Sequence, residues 1–468
     1  MPAVNDNSSV NPAVPDKFSG ASDKKKLVIA VVAIGIVTGL ATFLMKEAIK
    51  WIGRLISIGM DADKSNVMFL IVPVAGIMLA MIFQRFMLKQ DLSHGTAMIK
   101  RDLQDGQYKL SSDLMYTNII GCSITIGMGG SAGAEGPSAY TGAAIASNFA
   151  RWLHIDDRWL RLLIGIGAGA GIAGIFKSPV GGALFTLEVL GLELSTLPVI
   201  ALVSACLIAS CTALAFGGFS FDLKFVDYIS FDPANFMWMT LLGLFCGIYS
   251  IYYNSSKQMT AKLLNGVANP WFRALMGGIM LSTAIFFFPS LFGEGYSIVD
   301  KIINMRPSEL LSYSPFYTGL STSGLLMLLT AGVLLLKGIM VAATINGGGV
   351  AGDFAPTLFA GCLAGYLFGM MMNNWFGFSL PVENYALLGM AGVMTGTIKA
   401  PLMAIFITAE MSNSYQFMFG FLLVAAVSYA VVLAWDHYGP GKGSSNVDKT
   451  PDRWVKTADR MPAGENAQ

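Results

Sequence analysis

The chain has 468 residues, of which 54% are hydrophobic and only 13% are charged, and its net charge is +1. Soluble domains carry roughly 25% charged residues, so this composition excludes an ordinary water-soluble globule and places the chain in a bilayer. A net charge so close to zero gives no reason to expect a nucleic-acid partner. The five cysteines are scattered through apolar segments without metal-ligand spacing, which favours free buried thiols over disulfides or a zinc site.

The N-terminal part predicts a cytoplasmic tail followed by two membrane helices. Residues 1–26 are polar and end in three consecutive lysines, which is typical of a cytoplasmic anchor before a first span, and we expect this tail to be disordered. Apolar helices are predicted over 27–49 and 67–87, each long enough to cross roughly 30 Å of hydrocarbon. A polar stretch over 89–113 follows them.

The next apolar stretch, 118–152, is interrupted by the small-residue run 129–133 and by Pro137, so it cannot form one continuous span. The interruption predicts two half-helices that meet at a loop. Irregular backbone at membrane depth is tolerated only where protein or a water-filled cavity satisfies its polar groups. This break therefore indicates a binding or permeation site.

Residues 352–362 repeat the outline of residues 133–143, with glycine, proline and hydroxyl residues at matching positions. In each run a proline falls in the first turn of a predicted helix, where its missing N–H is no loss. The small residues before it leave backbone N–H groups bare, so an anion can approach the positive end of the helix. Glu135 places its carboxylate where such an anion would bind.

A second block repeats at nearly the same offset, and its matching positions are Lys177, Pro179 and Glu188 in the first copy and Lys399, Pro401 and Glu410 in the second. Two blocks repeated at almost one spacing indicate a duplicated membrane half. We predict a first membrane repeat over 27–217, a linker over 218–234, a second repeat over 235–437 and a polar cytoplasmic tail over 438–468. Duplicated halves with broken helices in equivalent positions are typical of transport proteins, whether the halves are inverted or parallel.

Three ordered motifs resemble the CLC family of chloride channels and chloride/proton exchangers. They are the family's G-(K/R)-E-G-P motif at 133–137, its G-x-F-x-P motif at 352–356 and a late conserved block at 398–416. The resemblance covers nearly all of 27–435. It implies an all-α integral membrane protein with the internally duplicated, inverted-repeat CLC fold of many tilted and broken helices, of the prokaryotic type without CBS domains.

The resemblance also implies a location, an assembly and a set of site residues. We expect a multi-pass protein of the inner cell membrane with both termini in the cytoplasm, forming a homodimer in which each subunit has its own anion pathway. Glu135 would be the gate, because its carboxylate competes with chloride for one set of N–H donors. The implied anion-binding positions are Ala134, Gly136, Asp353, Phe354, Ala355, Ser93, His94 and Gly95. Chloride would be the transported ligand, and no catalytic residue, metal or cofactor is expected.

The chain departs from the family pattern where the family has its G-S-G-I-P motif. Residues 93–97 stand there, with His94 aligned to the family's serine and Ser93 one step before it. Either His94 contacts the anion, or Ser93 and the backbone do so, and both interpretations stay open. This position helps to set selectivity, so fluoride is a further candidate substrate.

Other departures concern protons and the central site. Exchangers of the family usually carry a proton-transferring glutamate just after the position of Glu188, but here Val189 follows, which favours weak or absent proton coupling. Glu193 is a substitute candidate. Asp353 stands where an apolar residue is usual; it could repel anions, bind a cation or a proton, or point to the vestibule, which is the default expectation. Tyr438 is the candidate for the family's late tyrosine, although it precedes rather than follows the equivalent glycines.

The expected function is therefore transport of chloride or a similar monovalent anion, gated by Glu135, with weak or absent proton coupling. The alternative within the class is a proton-coupled chloride or fluoride antiporter. An intramembrane enzyme that uses Glu135, Asp353 and His94 is a third hypothesis, but no H-E-x-x-H or G-x-S-x-G motif occurs in the chain. We do not expect an enzyme.

Overall fold

The computed structural model describes residues 21–58, 66–88, 95–192, 195–218, 235–304 and 323–439. In those ranges the chain is helical and contains one isolated β-bridge but no β-strand. The α-helices are α1 (Ala21–Ser57), α2 (Met68–Phe83), α3 (Gly95–Gln104), α4 (Leu114–Gly127), α5 (Glu135–Trp152), α6 (Leu160–Phe176), α7 (Pro179–Leu184), α8 (Thr196–Gly217), α9 (Phe236–Asn265), α10 (Pro270–Phe287), α11 (Tyr296–Ile303), α12 (Ser323–Asn346), α13 (Phe354–Phe376), α14 (Val382–Ile398), α15 (Pro401–Met411) and α16 (Met418–Tyr438).

Among the described residues, eight helices are long and apolar enough to cross a membrane by length and composition, and they include α1, α2, α12 and α13. The predicted break over 118–152 is confirmed, because α4 ends at Gly127 and α5 begins at Glu135. One boundary is corrected. Helix α1 begins at Ala21, within the tail predicted over 1–26, because the three lysines before the apolar stretch are good helix formers and extend the helix.

The two proline-led turns of the repeated motif lie against each other at the centre of the molecule. Gly133 and Gly352 form an isolated antiparallel bridge. The N–H of Gly133 donates to the carbonyl of Gly352 at 2.9 Å, and the N–H of Gly352 donates to the carbonyl of Gly133 at 2.5 Å. Each copy of the motif therefore satisfies the polar backbone of the other copy.

The interrupted backbone beside this bridge is satisfied by a second reciprocal pair of hydrogen bonds. The hydroxyl of Thr344 accepts from the N–H of Ser131 at 3.1 Å. The hydroxyl of Thr125 accepts from the N–H of Val350 at 3.0 Å. These are equivalent positions exchanged between the two halves, which is the contact pattern that a two-fold axis produces.

The second repeated block makes a third reciprocal contact. The Glu410 carboxylate accepts from Ser178 Oγ and from the N–H groups of Val180 and Gly181 at the start of α7. Glu188 accepts from the N–H groups of the residues at the start of α15, with the shorter bond, 2.7 Å, to Met403. Each half thus places a carboxylate at the positive end of a helix in the other half.

The helices that begin at the central bridge are enclosed by protein. Every residue of α13 from Phe354 to Met370 is buried, and so is every residue of α5 from Glu135 to Asn148. Their close packing depends on glycine, because a Cβ on Gly142 would overlap the carbonyl of Gly167 in α6, and a Cβ on Gly361 would overlap that of Gly389 in α14. The outer helices α1, α8 and α16 instead carry large apolar side chains on their exposed faces. The site helices are therefore shielded from the surroundings on nearly all sides.

Candidate functional site

Glu135 is the first residue of α5 and is completely buried. Its Oε1 accepts a hydrogen bond of 3.0 Å from the N–H of Ala355, in the first turn of α13 in the other half. Its Oε2 has no hydrogen-bond partner within the part of the chain that the structure describes. The carboxylate therefore lies at the positive end of a helix that belongs to the opposite repeat, where a free anion would find the same donor.

The glycines of the motif make room for this carboxylate. A Cβ on Gly133 would overlap both carboxylate oxygens of Glu135, and a Cβ on Gly352 would lie 2.7 Å from the N atom of Gly136 and 3.1 Å from Glu135 Oε2. Real Cβ atoms essentially never approach a backbone atom as closely as a Cβ on Gly352 would, so that position requires glycine, whereas a Cβ on Gly133 would displace the Glu135 carboxylate from its position. The repeated glycine at the start of each motif therefore shapes the space in which Glu135 lies.

The N–H of Ala134, one residue before α5, is also bound to a carboxylate. It donates to Oε1 of Glu294 at 3.2 Å. Glu294 lies in the loop between α10 and α11, is half-buried, and is flanked by glycines with positive φ, Gly293 at 72° and Gly295 at 95°. Two carboxylates, those of Glu135 and Glu294, therefore accept from N–H donors at the paired helix starts. Glu294 is the one that is partly exposed.

The Asp353 carboxylate binds a cation and a hydroxyl of α9. The Tyr253 hydroxyl donates to Oδ1 of Asp353 at 2.5 Å, and the Lys257 ammonium forms an ion pair with Oδ2. The Asp353 side chain is 20% exposed. Because Tyr253 and Lys257 lie one helical turn apart on α9, they hold the carboxylate to one side and leave the N–H groups of the first turn of α13 free of it.

Phe354, Gly136 and Gly95 close the site around Glu135. The Phe354 ring is buried and packs edge to face against Phe185, with 5.7 Å between ring centroids. Gly95 is the first residue of α3, and a Cβ there would lie 2.6 Å from the carbonyl oxygen of Gly136. Three helix starts, those of α3, α5 and α13, therefore converge at one point.

Helix α3 is fixed to α5 by a polar contact away from the convergence point. The Tyr140 hydroxyl donates to Oδ2 of Asp102 at 3.1 Å. Burial raises the pKa of Asp102 from 3.8 to about 6, while the hydrogen bond from Tyr140 opposes this shift. Asp102 therefore holds α3 in register beside α5 and does so with a carboxyl group that titrates near neutral pH.

Lys337 places a buried amine beside the central turns. It lies in α12, is completely buried, and donates from Nζ to Oγ of Ser131 at 2.9 Å. The same ammonium lies 4.6 Å from the centre of the Phe359 ring. It is within electrostatic range of Glu135 and Glu294. A charge within a membrane helix is costly and usually functional, so Lys337 belongs to the electrostatics of this site.

Several residues singled out in the sequence lie elsewhere. Ser93, His94 and Glu193 are outside the described residues. Val189 is half-buried and packs against the main apolar core, so it offers no proton-carrying group beside Glu188. Tyr438 ends α16 and is 83% exposed, which separates it from the buried convergence of helix starts.

Sequence reasoning missed Glu294, Lys337 and the pair Tyr253 and Lys257. A signal existed for Lys337, since it is the one charged residue in the 24 residues of α12. Glu294 stands alone between two glycines after an apolar helix, and that isolation was a weaker signal. The contact of α9 with Asp353 joins positions about 100 residues apart, and no local sequence pattern predicts it.

The geometry defines a class of protein: a duplicated helical membrane protein whose two halves meet at N–H donors suited to an anion. Among the described residues no group of three or more His, Cys, Asp or Glu side chains could hold a metal ion. Residues 75–433 match the family model described as voltage gated chloride channel, which spans most of the chain. The chain therefore belongs to this family, the CLC family of membrane channels and transporters.

Relatives and solved structures agree with this assignment. A voltage-gated ClC-type chloride channel, ClcB, from Escherichia coli strain K12 is 29% identical over 369 residues, covering 76% of this chain and 81% of the relative. A CLC-type fluoride/proton antiporter superposes with a TM-score of 0.71 at 22% identity, covering 89% of this chain and 97% of the other. A slow cyanobacterial Cl⁻/H⁺ antiporter gives 0.73 at 20% identity, covering 87% and 94%. The chain has the inverted-repeat CLC fold.

Proposed function

We propose that this protein transports chloride or a similar monovalent anion across a membrane, with Glu135 as the gate and with weak or absent proton coupling. It acts as a transport protein and not as an enzyme. The pathway passes the convergence of α3, α5 and α13, and the N–H groups of Ala134, Gly136 and Ala355 are its donors. Asp353 and Phe354 contribute backbone N–H groups at the start of α13.

One observation carries this proposal: the Glu135 carboxylate accepts the N–H of Ala355 across the seam between the repeats, at 3.0 Å. A carboxylate and a halide need the same donors, so the two compete for one position. Protonation of Glu135, or movement of its side chain away from Ala355, leaves this donor to the anion. The same site therefore opens and closes without movement of the helices.

Weak coupling follows from what lies beside Glu188. Transfer of a proton towards Glu135 from the far side needs an ionisable group on the route, and Val189 offers none. Its packing in the apolar core supports this view. The anion then moves past Glu135 without a fixed number of protons moving in the opposite direction.

The experiment is anion efflux from liposomes that contain the purified protein. Wild type should release chloride at a rate that depends on pH, while Glu135→Gln, which has nearly the same shape and no charge, should release it faster and lose the part of that dependence that arises from Glu135. Glu383→Gln is the matched control, because Glu383 also lies at a helix start but in α14. Equal flux and equal pH dependence in wild type and Glu135→Gln would refute the gate.

Proton-coupled antiport is the second candidate, favoured by the fold that this chain shares with the two antiporters named above. It predicts that a chloride gradient drives measurable proton uptake, and that an imposed pH gradient shifts the reversal potential. Weak coupling predicts a reversal potential close to that of chloride alone. A comparison of fluoride flux with chloride flux would show which anion the protein prefers. Ser93 and His94, which lie outside the described residues, are the positions that bear on this preference.

The resemblance to the family also supports a homodimer in the inner cell membrane with both termini in the cytoplasm. Each protomer would transport anions through its own site, since all the donors named above belong to one chain. Single-molecule photobleaching in liposomes measures the number of subunits. Labelling of cysteines introduced near each terminus, in intact and permeabilised cells, measures the orientation.

A further inference from the structure

Glu294 stands out because the gate described above does not use it. Its Oε1 accepts the N–H of Ala134 at 3.2 Å, while Oε1 of Glu135 accepts the N–H of Ala355 at 3.0 Å. Both N–H groups belong to the same convergence of helix starts. An anion that enters this site therefore meets two carboxylates on two different donors.

The two carboxylates differ in depth. Glu135 is completely buried and its Oε2 has no partner within the described ranges, whereas Glu294 is half-buried in a loop. Glu294 is thus the one that borders the surface. It stands between two glycines with positive φ, of which Gly295 directly precedes α11.

Charges from several elements face this pair. Glu294 is within electrostatic range of Glu135, of Cys122 in α4 and of Lys337 in α12. Lys46 of α1 acts on Glu135 and lies 5.2 Å from the ring centre of Tyr296, two residues after Glu294. Tyr253 also acts on Glu135, and Asp353 also acts on Lys337. When both carboxylates are ionised, they repel each other and repel an incoming anion.

We propose that Glu294 is a second anionic gate, at the exposed mouth of the pathway, which competes with the transported anion for the Ala134 N–H and lowers anion affinity while it is ionised. This inference rests on the proposed function, since it concerns the same site. Glu135 controls the buried donor and Glu294 the donor nearer the surface. Full occupancy by an anion requires that both carboxylates be displaced or protonated.

The test is chloride binding to the purified protein in detergent, measured by isothermal titration calorimetry at pH 7.5. Glu294→Gln keeps an oxygen that can accept from Ala134 but removes the charge, and it should bind chloride about tenfold more tightly than wild type, a difference of ~1.4 kcal/mol. Glu294→Ala should also bind more tightly. Glu383→Gln, the matched half-buried carboxylate at another helix start, should bind as wild type does.

A purely structural role predicts a different result. In that case Gln, which can still accept from Ala134, would bind chloride as wild type does, and only Ala would change affinity, by weakening it. Such an outcome would overturn the second gate. It would leave the proposed function intact as long as Glu135→Gln still alters chloride flux, whereas a wild-type protein that neither binds nor moves chloride would overturn both.

The main comparison of a second measurement uses no Glu294 variant. In Glu135→Gln protein, chloride affinity should still rise about tenfold as pH falls from roughly 7.5 to 4.5, because Glu294 remains to be protonated. The combined Glu135→Gln, Glu294→Gln protein should show no such rise. A pH-independent affinity in the Glu135→Gln protein alone would contradict the second gate.

Discussion

The reciprocal carboxylates Glu410 and Glu188 permit a quantitative prediction about stability. They occupy equivalent positions in the two halves, but their environments differ. Glu410 is 7% exposed and accepts from Ser178 Oγ and two backbone N–H groups, those of Val180 and Gly181. Glu188 is half-buried and accepts from two N–H groups at the start of α15. Removal of either side chain should therefore destabilise the protein, but to different degrees.

The expected magnitudes follow from these contacts. A hydrogen bond to a charged group contributes about 1.5–3 kcal/mol, and donors left buried without a partner add a desolvation cost. Glu410→Ala leaves three donors without this partner. Because the energies of hydrogen bonds at one site are not additive, the free energy of unfolding should fall by about 4 kcal/mol. Glu188→Ala leaves two donors that water can partly reach, so the free energy of unfolding should fall by only about 1–2 kcal/mol.

The assay is unfolding in mixed micelles of dodecyl maltoside and increasing SDS, followed by tryptophan fluorescence. The free energies of unfolding of both alanine variants are compared with that of wild type. Glu47→Ala serves as the control, because Glu47 is exposed and bonds only to Lys50 among the contacts described for it, so its loss should be within about 0.5 kcal/mol. A loss for Glu188→Ala equal to or larger than that for Glu410→Ala would refute the reasoning.

Two further predictions concern the central bridge and α3. Gly352→Ala should reduce chloride flux at least about tenfold, because its Cβ would force the bridge apart, while Gly324→Ala, whose Cβ would meet no atom within 4 Å, should not change the flux measured in liposomes. Asp102→Asn should raise the midpoint of thermal unfolding at pH 8 by an amount corresponding to about 1 kcal/mol, after discounting for solvent screening, and should have no effect near pH 4. The sign follows from the raised pKa of Asp102 in the folded protein. Unfolded Asp ionises near pH 3.8, whereas folded Asp102 ionises near pH 6, so the stability that the neutral carboxyl group contributes at low pH is lost as the pH rises through 6. Asp105→Asn, one helical turn away and exposed, should not show this pattern, and a destabilised Asp102→Asn protein at pH 8 would contradict the assignment.

Much of the architecture could be predicted because its signals are local or repeated. The run of small residues ending at Gly133 predicted the break between α4 and α5. The offset shared by the two repeated blocks predicted a duplicated membrane half, and the Gly133 and Gly352 bridge joins equivalent positions of the two copies. Hydrophobic length and internal repetition are carried by the sequence itself.

The charge balance of the site could not be predicted in the same way. Whether Asp353 points to a vestibule or binds Tyr253 and Lys257 depends on how α9 packs against the start of α13. Likewise, Glu294 reaches Ala134 only because a loop between two other helices folds over the break. Such contacts join distant positions, and a single sequence holds no periodic signal for them. The roles of Ala134, Gly136 and Ala355 in anion binding stay predictions, because they concern an anion and not the fold.

The pairing of Gly133 with Gly352 has a consequence for the direction of the pathway. A backbone scaffold in which two equivalent halves exchange the same hydrogen bonds does not by itself distinguish one side of the membrane from the other. Two residues after the first glycine of each motif, however, one half carries Glu135 and the other carries Phe354. This mismatch gives one half an ionisable group and the other half an aromatic ring at equivalent positions, so an ion travelling through a symmetric scaffold meets different chemistry according to the side from which it arrives.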